Sequence, residues 1–222
     1  MALVQTTTYA IWEARNRTNF QQQQVRVDTV LKRVSCLMEE VQVRDQMRAP
    51  TVALPARWKP PATGIIKCNF DASYHENGLS GLGMVARNCR GEVMAAVCSY
   101  PISAISPLLA EAMSLRWTMQ LAIDLGFRRI CLETDCLQLY TFWQAKEVGR
   151  SYLSSIISEC HTLLCVFDVV SFSFVRRTGN TVADFLARTA ETYADLVWVE
   201  EVPDAALAYV VSDVMSCLPN GF

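Results

Sequence analysis

Four acidic residues mark the chemistry that this sequence could perform. Asp71 and Asp135 each stand at the end of a short strand-like stretch. Glu111 lies at the edge of a predicted helix's buried stripe, and Asp184 lies in the first turn of another helix. A carboxylate at a buried edge is unfavourable unless it is paired, protonated or bound to a metal. We therefore expect these four carboxylates to converge at one edge of a sheet.

Three of these residues also have a plain structural explanation, which the sequence leaves open. Asp71 can simply end a strand and begin a turn. Glu111 can be a surface residue that pairs with a neighbouring cation. Asp184 can be there because a helix dipole favours an anion in the first turn.

The stretch 65–73 is the one around which the chain is organised. Apolar and polar residues alternate there, with Ile66, Cys68 and Phe70 set against Lys67, Asn69 and Asp71. This period of two is typical of a half-buried strand. Ala72 and Ser73 follow, and such small residues let a bulky ligand approach the backbone.

The other periodicities predict an α/β fold. Further strands are expected at 79–87, 92–100, 127–135 and 169–175, and helices at 107–125, 136–148, 151–165 and 182–188. The resulting order β-β-β-α-β-α-α-β-α gives a mixed sheet of five strands with helices on its faces. A right-handed crossover from the first strand to the fourth would make Asp71 and Asp135 neighbours.

The glycines Gly81 and Gly83 do not indicate a phosphate-binding loop. Neither a third glycine nor a Lys-Ser/Thr pair follows them, and no helix is expected to begin there.

Outside this domain, expected at 65–192, the sequence predicts three further segments. Residues 1–48 are expected to form a helical extension that packs on the domain or binds a protein partner, with the stripe Val27, Val30, Leu31, Val34, Met38 and Val41. Four prolines indicate a linker at 49–64. The tail 193–222 is expected to dock a short helix, 203–216, through Leu207, Val210, Val211 and Val214.

Composition indicates a globular, intracellular protein. The chain is 51% hydrophobic and 19% charged, without an apolar run of the ~20 residues that a membrane span needs. Its nine cysteines include no Cys-x-x-Cys pair, and the N-terminus lacks a secretory signal, so we expect reduced thiols in the cytoplasm or nucleus. Cys160, His161 and Cys165 do not have zinc-ligand spacing. The net charge of −2 gives no support to a nucleic-acid partner.

Six phrases, in this order, resemble ribonuclease H type 1, in particular the plant branch related to non-LTR retrotransposon polyproteins. They begin at Trp58 (WKPP), Gly64 (GIIKCNFDAS), Gly81 (GLGMVARN), Ala110 (AEA), Glu133 (ETD) and Val175 (VRRTGNTVADFLA). The resemblance covers residues 58–192 and touches 11–16 and 199–203.

The resemblance implies a ribonuclease H-like fold, nucleic-acid binding and endonucleolytic hydrolysis of the RNA strand of RNA–DNA hybrids with two Mg²⁺ or Mn²⁺ ions. Hard ions of this kind prefer oxygen ligands. By analogy, Asp71 would bridge the two ions, Glu111 and Asp135 would hold the one beside the attacking water, and Asp184 would hold the other.

The same resemblance implies nucleic-acid contacts and shows two departures. Ala72, Ser73, Arg177 and Asn180 are the expected contacts, with the RNA strand recognised by its 2′-hydroxyls. Many relatives carry a histidine before the last carboxylate, where this chain has Arg176-Arg-Thr-Gly, and a basic helix is also not evident. Two alternatives stay open, a binding domain without turnover and an interaction protein acting through its ends. We expect a monomer.

Overall fold

The computed structural model describes residues 26–46, 57–75, 77–145 and 151–217, with a few helical positions between 7 and 18. Most of the expected linker and of the extension before residue 26 lie outside the described residues, as do 146–150 and 218–222. None of the helices in the described part of the chain has the length and hydrophobicity that crossing a membrane requires.

The described elements follow the predicted order, with additions at both ends. The strands are β1 (Ile66–Tyr74), β2 (Leu79–Arg87), β3 (Val93–Ser103), β4 (Arg129–Thr134), β5 (Val169–Phe174) and β6 (Val197–Val199). The α-helices are α1 (Val27–Gln46), α2 (Pro107–Asp124), α3 (Leu137–Ala145), α4 (Tyr152–Leu163), α5 (Thr181–Arg188) and α6 (Asp204–Met215).

The sheet has the strand order β5-β4-β1-β2-β3-β6. β1 is antiparallel to β2 and parallel to β4, which confirms the predicted mixed sheet. The predicted count of five strands is one too low, because β6 pairs with β3. Three residues are too few to show a period of two, so the sequence pattern could not identify β6. The sheet therefore continues past residue 192, where the domain was expected to end.

Helices cover both faces of the sheet. On one face, α2 lies on β1, and the buried side chains include Cys68, Phe70 and Leu115. On the other face, α5 crosses β1 and β2 at short range. A side chain at Gly83 would place its Cβ 2.3 Å from the Ala187 backbone nitrogen, so only glycine admits this helix. Close helix packing is therefore the role of a glycine that superficially suggested a phosphate loop.

The central strand β1 is buried on both faces, which corrects the prediction of a half-buried strand. Lys67 is 7% exposed and Asn69 is fully buried, although both alternate with apolar residues. Trp58, expected in the linker, is 1% exposed and donates a hydrogen bond to Asn69. The polar face of β1 is thus buried as well, with Trp58 among the residues that cover it.

The C-terminal helix α6 buries a different face from the one predicted. Leu207 and Val211, expected to be buried, are 53% and 50% exposed. The buried side chains of α6 are Ala206, Val210 and Asp213, and Asp213 Oδ2 lies 2.7 Å from Arg87 Nη1. The ion pair with a buried arginine fixes the rotation of the helix, which apolar periodicity alone could not reveal.

The N-terminal helix α1 contacts α2, α3 and α4. Arg33 donates a hydrogen bond to the Ile105 carbonyl, and the Lys32 ammonium lies 5.3 Å from the centre of the Tyr152 ring. Val27 and Leu31 of the expected apolar stripe are instead 73% and 60% exposed. The helix therefore packs on the domain in part through polar contacts, which the apolar stripe did not predict.

Candidate active site

Four separate elements bring the predicted carboxylates to one pocket. Asp71 lies in β1, Glu111 in α2 and Asp184 in α5. Asp135 follows β4, which runs parallel to β1 with Glu133 beside Asn69, and this register brings Asp135 next to Asp71. Asp71 lies within β1, which continues to Tyr74, and not at the strand's end as predicted. All four line one open pocket of about 400 Å³.

Local structure fixes the backbone at this pocket. Ser106 caps α2 by accepting a hydrogen bond from Leu109 N, and Pro107 occupies the first turn, where its missing N–H does no harm. One turn after Glu111, the Ser114 hydroxyl donates to the Asp71 carbonyl at 2.9 Å. This bond ties the helix that carries Glu111 to the strand that carries Asp71.

Burial and mutual repulsion raise the pKa values of the two innermost acids. Burial, followed by the charge of Asp135, raises the pKa of Asp71 to about 7. Burial, followed by the charges of Asp71 and Asp135, raises the pKa of Glu111 well above its usual value. Among the residues that the structure describes, none makes a hydrogen bond to the buried Glu111 Oε2. Without a cation, the pocket therefore favours the protonated form of both acids.

The outer two acids have cationic or amide partners. Asp184 is paired with Arg177 and lies 3.7 Å from Arg188. Asp135 Oδ1 accepts a 2.8 Å hydrogen bond from Asn180 Nδ2.

The predicted nucleic-acid contacts divide into two groups. Ala72, Ser73 and Arg177 line the same pocket as the acids, and the Arg177 side chain is 70% exposed. Asn180 is only 1% exposed, and its amide nitrogen donates to Asp135 and to the Phe70 carbonyl at 3.0 Å. A contact with nucleic acid does not fit this placement, because Asn180 is committed to supporting Asp135.

The donor chemistry of the pocket fits a divalent cation. All four acids offer oxygen ligands, and Glu111 Oε2 accepts no hydrogen bond from any described residue. Within the described segments, no group of three or more His, Cys, Asp or Glu side chains is already arranged to hold a metal ion. Arg177 and Arg188 already pair with Asp184, so a cation bound by Asp184 would compete with these two side chains.

Sequence reasoning named Asn180 but missed the buried polar residues that surround it behind this pocket. One hydrogen-bonded cluster joins Asn180 with Trp58, Lys67, Asn69, Arg87, Glu133 and Asp213. Asp213 is 126 residues from Arg87 in the chain, so no local pattern could pair them. The available signal was the occurrence of Lys67 and Asn69 in the strand that leads to Asp71.

Two of the solved structures that share this fold illustrate the similarity. RNase H1 from the halophilic archaeon Halobacterium salinarum NRC-1 is 26% identical, with a TM-score of 0.54, over 59% of this chain and 99% of its own. LC11-RNase H1, isolated from compost and solved in complex with an RNA/DNA hybrid, has a TM-score of 0.50 at 18% identity, over 55% and 94% of the two chains. Fold and site thus define a ribonuclease H type 1-like domain.

Sequence relatives lead to the same class. The family model described as "Reverse transcriptase-like" matches residues 69–190, more than half of the 222-residue chain, and the chain belongs to this family. An Arabidopsis thaliana protein named "Putative ribonuclease H protein" is 27% identical over 168 residues. The match covers 75% of this chain but only 27% of that relative's length.

Proposed function

We propose that this domain binds RNA–DNA hybrids and hydrolyses their RNA strand with two divalent cations, Mg²⁺ or Mn²⁺. The observation that carries the proposal is the convergence of four acids, from four separate elements, on one open pocket. Family membership supports the reaction class. The hybrid bound by a structural neighbour supports the substrate class.

The four acids would divide the ligand roles. Asp71 interacts with Glu111, Asp135 and Asp184 alike, so it would be the ligand that both cation sites share. Glu111 and Asp135 would complete one cation site and Asp184 the other. When bound, two such cations activate a water molecule and stabilise the leaving 3′-oxygen of an in-line displacement.

The cationic rim of the pocket would hold the nucleic-acid backbone. Arg177 is exposed and lies beside Asp184 at the pocket, where its guanidinium would be able to bind a phosphate of the backbone. The backbone at Ala72 and Ser73 lines the same pocket and would approach the RNA strand.

A second candidate function is nucleic-acid binding without turnover. The pairing of Asp184 with Arg177 and Arg188 favours it, because two guanidinium groups already neutralise one of the four acids. The loop 176–180 also lacks the histidine that many relatives carry.

We further propose that the functional unit spans residues 57–217 rather than 65–192. Trp58 and Asp213 belong to the buried cluster behind the pocket. Cys217 Sγ donates to the Trp58 carbonyl at 3.1 Å, so the two ends of this unit contact each other.

Asp71→Asn tests the proposed reaction. Cleavage of a labelled hybrid in Mg²⁺ should fall by more than about 100-fold, beyond the range typical of residues that only support a ligand. Metal at about 100 times its Kd should stabilise the wild type by about 2.7 kcal/mol, and the variant should lose this shift. Calorimetry with and without Mg²⁺ measures it.

Two results would reject the hydrolase. Undiminished cleavage by Asp71→Asn would remove the carboxylates from the mechanism. A wild type that binds hybrid in Mg²⁺ and Mn²⁺ yet never cleaves it would establish the second candidate function.

A further inference from the structure

A chain of buried hydrogen bonds runs from the C-terminal helix to the pocket. Arg87 donates through Nη1 to Asp213 Oδ2 at 2.7 Å and through Nη2 to Asn69 Oδ1 at 3.0 Å. Asn69 Nδ2 in turn donates to Asn180 Oδ1 at 3.2 Å, and Asn180 Nδ2 donates to Asp135 Oδ1 at 2.8 Å. Three bonds therefore connect Arg87 with a carboxylate of the pocket.

Both amides in this chain are buried and surrounded by partners. Asn69 is fully buried, and its amide nitrogen also donates to Glu133 Oε2 at 3.0 Å. Its oxygen accepts a second bond, at 3.0 Å, from Trp58 Nε1. Neither amide proton of Asn69 and neither of Asn180 is left for solvent.

The direction of this chain is dictated by chemistry. The Trp58 indole and the Arg87 guanidinium can only donate, so the oxygen of Asn69 must face them. The nitrogen of Asn69 then faces Asn180, whose oxygen must accept. The nitrogen of Asn180 is consequently turned towards Asp135 and the Phe70 carbonyl.

We propose that Asn69 is a positioning residue for the candidate active site, acting through Asn180 to hold Asp135 in place. Trp58 and the Arg87–Asp213 pair set the direction of its amide. The inference rests on the proposed function for the role of Asp135 as a metal ligand. The proposal gives a supporting role in that site to Trp58 and Asp213, which lie near the two ends of the 57–217 unit.

The alternative orientation is unfavourable for a specific reason. A reversed Asn180 amide would place its oxygen against Asp135 Oδ1 and the Phe70 carbonyl oxygen, with no proton between them. Buried acceptors without a donor are strongly disfavoured. Asp135 would therefore move away from its present position.

Asn69→Asp is the most direct test. The introduced carboxylate can still accept from Trp58 and Arg87, but its second oxygen demands a donor from Asn180. That oxygen also faces Glu133 Oε2, an acceptor that cannot supply a proton. Asn180 can supply a donor only by reversing its amide, which withdraws the donor from Asp135. The Mn²⁺ affinity of the folded protein, measured by calorimetry, should fall by about 10-fold or more.

A matched control separates positioning from general destabilisation. Glu92→Gln changes an exposed carboxylate at the β2–β3 turn and should leave Mn²⁺ affinity unchanged. A merely structural role for Asn69 would lower the melting temperature of Asn69→Asp without changing the Mn²⁺ affinity of its folded fraction. An affinity within about twofold of the wild type would overturn the proposal.

If Asn69→Asp does not fold, Trp58→Phe gives a second route. It keeps a ring beside Arg87, whose guanidinium lies 3.9 Å from the Trp58 ring centre, and removes one of the two donors to Asn69. Mn²⁺ affinity should fall by about two- to fivefold, less than the 10–100-fold typical when a ligand's own partner is lost. An unchanged affinity would overturn the proposal.

A wild-type crystal structure at better than about 1.2 Å resolves the amide orientation directly. An Asn180 oxygen facing Asp135 would overturn the proposal. A wild type that neither binds Mn²⁺ nor cleaves hybrid would reject the proposed function instead, and the crystal structure would still decide the orientation.

Discussion

The two faces of β1 are held by different interactions, apolar packing on one and hydrogen bonds on the other. On one face, Cys68 and Phe70 are fully buried beneath apolar side chains such as Leu115 of α2. On the other, Lys67 and Asn69 are also buried, but each makes directed hydrogen bonds. Apolar burial stabilises by about 25 cal/mol per Å² in any orientation, whereas a buried amide tolerates only one. The apolar face therefore supplies stability, and the polar face supplies geometry.

Buried ion pairs on the polar face reinforce this difference. Lys67 Nζ lies 2.9 Å from Glu133 Oε1, and Arg87 Nη1 lies 2.7 Å from Asp213 Oδ2. Such pairs contribute little net stability relative to apolar residues of the same size, because desolvation offsets their attraction. What they provide here is a fixed donor and a fixed acceptor for the Asn69 amide, because Arg87 donates to its oxygen and Glu133 accepts from its nitrogen.

The largest expected loss of stability comes from the apolar face. Phe70→Ala removes a fully buried ring that stacks on Phe172 and should lower the free energy of unfolding by about 3–5 kcal/mol. Mn²⁺ affinity of the folded protein should be retained. Urea unfolding measures the loss, with Val169→Ala at a 38% exposed position as the control. A loss below about 1 kcal/mol would contradict the stabilising role of this face.

A comparable loss is expected when one partner of the Arg87–Asp213 pair is removed. Asp213→Ala leaves a fully buried guanidinium charge unpaired and should lower the free energy of unfolding by about 3–5 kcal/mol.

The double variant Arg87→Met with Asp213→Leu then separates stability from geometry. Stability should return to within about 1 kcal/mol of the wild type, because no unpaired charge remains. Its Mn²⁺ affinity should nevertheless be lower than that of the wild type, because Asn69 has lost one of its two donors. Wild-type stability together with wild-type Mn²⁺ affinity would show that the polar face has no positioning role.

A smaller effect is expected from the pH dependence of the metal-free protein. The folded-state pKa of Asp71 is raised from 3.8 to about 7, so folding favours its protonated form. That stabilisation is complete below about pH 4 and is lost as pH rises towards 7. At pH 8, Asp71→Asn should therefore melt at least about 2–4 °C above the wild type, the shift that about 1 kcal/mol produces at this size.

Thermal melts of both proteins at pH 5 and pH 8, in a metal chelator, test this expectation. The advantage of Asp71→Asn should grow with pH and should disappear when Mg²⁺ is added. An advantage that shrinks with rising pH would mean that Asp71 is stabilised as the carboxylate.

The smallest effect is expected at an exposed pair. Arg116 Nη1 lies 2.7 Å from Glu159 Oε2, with side chains 36% and 56% exposed. Solvent screens such a pair, so Glu159→Gln should change the free energy of unfolding by less than about 1 kcal/mol. Urea unfolding of Glu159→Gln and of Asp213→Ala under the same conditions would show how much of the difference in stability loss is due to burial. Equal losses would contradict the contrast between buried and exposed pairs.

The sequence predicted the order of the central elements because hydrophobic periodicity is local. Alternation identified β1, and the spacing of apolar residues identified helices such as α2. The same periodicity placed four acids at strand ends and helix edges, and the structure brings them to one pocket. Periodicity failed where a segment was as short as β6 or where its burial depended on a distant ion pair, as in α6.

The sequence by itself thus determined the fold class and the supply of acidic groups. Tertiary structure alone decided which polar groups are buried together, because Trp58, Asn69, Arg87 and Asp213 meet only after the sheet and its covering helices have formed. The reason is physical. Burial of an apolar side chain depends mainly on how much surface it removes from water, which residue type and local period reveal. A buried donor needs one particular acceptor at about 3 Å, and that partner can lie anywhere in the chain.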